Sequence, residues 1–108
     1  MYINKGKTMK EKLALQQQFD LKPSKWISWQ TYEDKTYIID ERTGTLIKLE
    51  GSAVIFWNIM LDVHKINDIL KKLDDIFYDV DSYVLHKDMH ELVDDLVAQE
   101  IVEVKSYD

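Results

Sequence analysis

The chain alternates apolar and polar positions in its middle third and repeats them at helical spacing in its last half. Residues 26–32 are rich in aromatic and β-branched side chains and predict a first strand. A polar turn at Glu33-Asp34-Lys35 leads to a second strand over 36–40. The loop Glu41-Arg42-Thr43-Gly44 then predicts a hairpin, with Gly44 free to take a positive φ. The third strand, 45–50, puts Thr45, Ile47 and Leu49 on one face and Leu46 and Lys48 on the other.

The period then changes. Residues 52–61 are apolar almost all round, which predicts a central helix enclosed on every side, with Ser52 as a candidate cap. Ile66, Ile69, Leu70, Leu73 and Phe77 follow i, i+3, i+4 spacing and mark a second, amphipathic helix. Ser82 is a candidate cap for a third helix to Gln99, whose stripe is Leu85, Met89, Leu92, Val93 and Leu96. A short extended piece, 101–104, follows. The predicted order is β-β-β-α-α-α: an α+β fold of winged helix-turn-helix type, a three-stranded antiparallel sheet followed by three helices. Residues 26–108 form the expected domain. Residues 1–25 read as a basic arm, with a short helix over 8–19 suggested by the capping-box spacing from Thr8 to Glu11. Pro23 ends whatever precedes it.

Charge sharpens this outline. The net charge is −6 over 108 residues. Residues 1–25 hold six lysines against Glu11 and Asp20, while the rest holds 8 basic against 18 acidic side chains. Such a body repels a phosphate backbone and suits a protein or peptide partner. The second and third helices with the 36–50 hairpin permit an alternative, an acidic winged-helix transcriptional regulator. Its recognition helix would carry Asp88, Glu91, Asp94 and Asp95 against Lys87, which is the wrong sign for DNA.

Enzymatic signatures are missing. Three glycines make no phosphate loop, there is no G-x-S-x-G, and the absence of cysteine removes disulfides and thiolate chemistry. No apolar run reaches the roughly 18 residues that span a bilayer, nor does one of signal-peptide type follow the lysine-bearing start. The expectation is a cytoplasmic protein, not an enzyme, with no cofactor and neither nucleic acid nor membrane as partner. His86 and His90, with Asp94 a turn further, have ligand spacing on one helix face. The simpler reading puts them on the exposed side, opposite the apolar stripe, with no metal. Core packing and sheet-face pairing account for most of the three tryptophans and six tyrosines.

The run IIDERTGTLIKLEGSAVIFW, the INDIL helix and DMHELVDDLVAQEIVEV resemble the PqqD-like family, the RiPP recognition elements. The DERTG turn, Leu49, the 53–57 helix and the Asp88-Met89-x-x-Leu92-Val93-x-x-Leu96 run carry the likeness over about residues 26–104. The DERTG form is most similar to the standalone leader-binding proteins of lasso-peptide clusters. The chain departs from the family's pattern at Glu50, at Asp62-Val63-His64 and at Glu100, where the family favours Asn, Gly and Gly. A non-glycine residue in a left-handed conformation at 100 would cost on the order of 1 kcal/mol.

The resemblance implies non-catalytic binding of a precursor leader peptide in a cleft between the third strand and third helix. A separate enzyme of the same pathway, a leader peptidase in a lasso-type system, would then act on the precursor. An edge strand there would accept the leader as an added strand. The expected contacts are Thr45, Leu46, Ile47, Lys48 and Leu49 on the strand. On the helix they are Leu85, Asp88, Met89, Leu92, Asp95 and Leu96. Core packing competes as the role of Leu85 and Leu96.

Overall fold

A computed structural model describes residues 18–106 of the chain. Its centre is the expected meander. Strands β2 (Ile27–Tyr32), β3 (Lys35–Asp40) and β4 (Thr45–Glu50) pair antiparallel in the order β2-β3-β4. Tyr32 faces Lys35 across a two-residue turn in which Glu33 has φ 58°. Asp40 faces Thr45 across the second turn, whose Gly44 has φ 77°. Positive φ in these turns matches the right-handed twist of the strands they join. Ile27, Ile38 and Leu49 form the buried side of this sheet.

Helix α1 (Ser52–Asp62) packs under that side and buries Val54, Phe56, Trp57 and Met60. Its enclosure is incomplete: Ala53, Ile55, Ile59 and Leu61 are half-buried and Asn58 is exposed. The helix starts after Gly51, at φ 63°, and Ser52 does not cap it. Helix α2 (Ile66–Ile76) buries Ile66, Ile69, Leu70 and Leu73, the stripe its spacing predicts. Helix α3 (Ser82–Ala98) is capped by Asp81, whose carboxylate accepts the backbone N–H of Tyr83 at 2.8 Å and of Val84 at 3.4 Å. An anionic cap also suits the positive end of the helix dipole. The Ser82 hydroxyl instead donates to Asp74 on α2 at 2.8 Å.

The strand count differs from the expected three. Phe19–Pro23 is a strand, β1, pairing antiparallel with β5 (Val102–Ser106) in a separate two-stranded ribbon. Phe19, Leu21 and Val102 are buried, so the ribbon's inner face belongs to the core. The 1–25 segment read as an arm therefore supplies a core strand at its end. Five residues ending in a proline give too short a pattern to declare themselves, and their partner lies at the other end of the chain. Of the helix expected over 8–19, residues up to 17 lie outside the described residues, and Phe19 is in β1.

One corner ties the two sheets together. Glu100 has φ 63°, the left-handed conformation expected at this position. Its carbonyl accepts the Ser24 hydroxyl at 2.8 Å and the Trp26 indole N–H at 3.0 Å. Its carboxylate accepts Arg42 Nη1 at 2.8 Å. Arg42 also grips Asp40 through Nε at 3.2 Å and Nη2 at 2.9 Å, and its guanidinium lies 4.2 Å from the Trp26 ring centroid. Asp40 is buried and accepts the Arg42 backbone N–H at 2.9 Å as well. The three turns preceding β2, β4 and β5 thus meet at one guanidinium, whose planar fork suits two carboxylates at once.

Two outcomes are expected. Leu21→Ala should lower stability by about 2–5 kcal/mol in urea unfolding, because it opens a void under β1. Arg42 holds the Asp40 carboxyl below its ordinary value of 3.8, chiefly by side-chain hydrogen bonding. The unfolded chain therefore takes up that proton first on acidification. The stabilisation is complete above 3.8 and is lost as pH falls through the lowered folded-state value. Stability measured between pH 7 and pH 2 should fall less steeply in Arg42→Ala than in the parent.

Candidate functional site

Strand β4 is at the edge of its sheet, and among the described residues no strand pairs with its outer side. Such an edge presents a row of backbone donors and acceptors to an extended chain. Its side chains divide as the alternation predicts. Thr45, Ile47 and Leu49 face the helices, with Leu49 buried, Ile47 half-buried and Thr45 exposed. Leu46 and Lys48 are on the opposite face. Leu46 is 61% exposed and sits directly across from Ile39, itself 43% exposed. Lys48 is 2.9 Å from Glu50, and this hydrogen-bonded pair raises the lysine's pKa and lowers the glutamate's.

On α3 the six expected contacts separate into two groups. Leu85, Met89 and Leu96 are buried in the core together with Val93. Leu92 is half-buried against that core, and Asp88 and Asp95 are exposed. Positions 88, 92, 95 and 99 follow one another at i+4 and i+3, so they run along one side of the helix. Gln99 ends that row and lines a 270 Å³ cleft with Thr43, Thr45 and Ile47 on the strand side and Ile101 beneath. Asp40 and Arg42 close the cleft at its turn end. The edge strand and the helix row therefore meet at the corner that Arg42 organises.

Thr43, Gln99, Ile101 and the pairing role of Arg42 were not among the expected site residues. The DERTG turn was the available signal, but it marked a loop conformation rather than a wall of a cleft. The electrostatics are one-sided: Asp88, Glu91 and Asp95 are exposed along α3, with Lys87 the nearby cation in sequence.

The histidines take other places than expected. His86 Nε2 is 3.0 and 3.1 Å from the two Asp74 carboxylate oxygens, so it faces α2 and is not on the free side of the helix. His90 is half-buried, its Nδ1 has no partner, and burial followed by the nearby His86 lowers its pKa. Among the described residues no group of three His, Cys, Asp or Glu side chains is arranged to hold a metal. Trp57 is fully buried and meets Trp29 edge to face at 5.5 Å between centroids, which is core packing of the kind expected. No described helix is long and apolar enough to cross a membrane.

Comparison with known proteins fits this geometry. A family model described as Coenzyme PQQ synthesis protein D (PqqD) matches residues 35–102, from the start of β3 to the start of β5. No curated protein matches the chain in sequence. Among solved structures the chain is similar to "TbiB1 in Complex with the TbiA(beta) Leader Peptide", with a TM-score of 0.71 and 18% identity. That likeness covers 76% of this chain and 94% of the other, and at this identity it is a likeness of fold. Since the family model spans more than half of its length, the chain belongs to the PqqD-like family of RiPP recognition elements.

Proposed function

We propose that the protein binds the leader segment of a ribosomally made precursor peptide and performs no chemistry on it. The observation that carries this reading is the open β4 edge beside the α3 row, in a chain of this family. The leader adds as a strand along Thr45–Glu50, and backbone hydrogen bonds supply affinity without regard to sequence. Specificity comes from alternate leader side chains that enter between Thr45 and Ile47 on one wall and Leu92 and Gln99 on the other. Leu85, Met89 and Leu96 act from below, as the packed support of that wall. Leu46 and Lys48 contribute through their backbone, and Leu49 closes the inner end of the strand. Asp88 and Asp95 are at the rim, where they favour basic leader residues and act on association rate more than on affinity.

The TbiB1 complex supports this reading, since that protein of the same fold is described as bound to a leader peptide. The turn form DERTG favours a lasso-type pathway, in which a separate leader peptidase receives the bound precursor. The same acidic row that suits a basic peptide opposes DNA.

Among fluorescently labelled synthetic leader segments of ribosomally made precursors, the cognate one should bind saturably in a polarisation titration. Leu92→Asp should weaken that binding at least tenfold while circular dichroism stays unchanged; full affinity in this variant would refute the cleft. Proline placed at successive positions of the leader should abolish binding at alternate residues, because only every second backbone N–H faces β4. The double variant Asp88→Asn, Asp95→Asn should slow association with a basic leader at low salt and have little effect near 0.5 M salt.

A further inference from the structure

The β1–β5 ribbon has two outer edges, and they differ. On the β1 side, Leu21 N–H donates to His64 O at 2.9 Å, and Asp20 forms a bridge with Lys65. That edge is closed by the linker between α1 and α2. On the β5 side no strand follows among the described residues.

The Leu21 N–H points at the linker, hence away from β5. Its cross-strand partner is Val104. In an antiparallel ladder such a residue belongs to a pair that exchanges no hydrogen bonds, and both members turn their N–H and C=O outward. Val104 therefore directs its N–H and C=O to the open edge, and so do Val102 and Ser106, two residues either side.

The ribbon's exposed face carries charges in a checkerboard. Asp20 is opposite Lys105, and Lys22 is opposite Glu103. From this edge and this charge order we infer that β5 pairs antiparallel with β5 of a second copy of the chain, about a two-fold axis at Val104. The axis must stand perpendicular to the sheet, so that buried faces stay on one side. Opposed residues then share a face, and of the five possible centres along β5 only 103, 104 and 105 pair three or more of its residues with each other. A centre at 103 sets Glu103 against itself, and a centre at 105 sets Lys105 against itself. The centre at Val104 alone sets Glu103 against the partner's Lys105 and Lys105 against the partner's Glu103. One row across the four strands then reads Asp20, Lys105, the partner's Glu103, the partner's Lys22, with signs alternating throughout. The second row is its mirror in sign. On the inner face Val104 meets the partner's Val104, continuing the apolar row from Leu21. The two Val104 residues exchange backbone hydrogen bonds, and each Val102 does so with the partner's Ser106. This is an isologous contact that closes on itself and leaves both β4 edges open.

Sedimentation equilibrium of the full chain over a wide concentration range should show reversible dimerisation. Val104→Pro removes an outward N–H without touching the ladder to β1, so it should be monomeric with an unchanged circular dichroism spectrum. Glu103→Lys alone and Lys105→Glu alone each oppose like charges and should dimerise about tenfold more weakly. Mixed in equal amounts, they should regain a dimer, because both charge pairs across the interface between the copies then attract. A monomer at the highest concentrations would overturn the inference, as would a dimer indifferent to all three variants. Saturating leader peptide should leave the dimer intact, which separates this contact from the β4 edge.

Discussion

A single guanidinium holds the architecture in register. Arg42 reaches Asp40 in its own turn, Glu100 at the end of α3 and the ring of Trp26 before β2. The meander, the ribbon and the last helix come from distant parts of the chain and have no continuous sheet between them. Apolar packing specifies contact more than orientation, and apart from Arg42 the elements are tied at this corner by the hydrogen bonds of Ser24 and Trp26 to the Glu100 carbonyl. Arg42 supplies direction, and its fork donates to two carboxylates with defined angles. The left-handed backbone at Glu100 is held by the same corner, since its carbonyl takes both Ser24 and Trp26. A residue costly in that conformation persists because its surroundings over-determine it.

Dividing five strands between two small sheets multiplies edges, and the protein treats them unequally. The β1 edge is closed by the α1–α2 linker through Leu21 and His64. Among the described residues no strand pairs with the β4 edge, which lies beside the α3 row and next to the Arg42 corner, the place proposed for an extended peptide. The β5 edge carries a charge order that matches a second copy of itself. Function on this fold is thus a matter of which edges are left unpaired and what flanks them. The helices contribute walls and support.

Much of the fold could be read from local pattern. The stripe Ile66, Ile69, Leu70, Leu73 is buried as its spacing implied, and the alternation in 45–50 sorted Ile47 from Leu46 correctly. The hairpin loop, with Gly44 at positive φ, also followed from composition. Caps were less legible. Asp81 and Ser82 are both good capping residues in adjacent positions, and the choice between them turned on Asp74 of α2 engaging the serine. On α3, Leu85, Met89, Leu92 and Leu96 form one stripe by spacing. Only the packing of neighbouring elements shows that three are buried and Leu92 is half-buried beside the row ending at Gln99.

The amino-acid sequence by itself determined the periods, the turns, the acidic balance and the family likeness, because each is set by neighbours a few residues apart. Tertiary structure decided what depends on residues far apart: that Phe19–Pro23 pairs with Val102–Ser106, that His86 answers Asp74, and that Arg42 joins three turns. Pairing of distant strands leaves no local trace, since a short strand's pattern names a face but not a partner. For that reason candidate residues could be named on β4 and α3 in advance, while the corner that positions those elements became visible only in the folded chain.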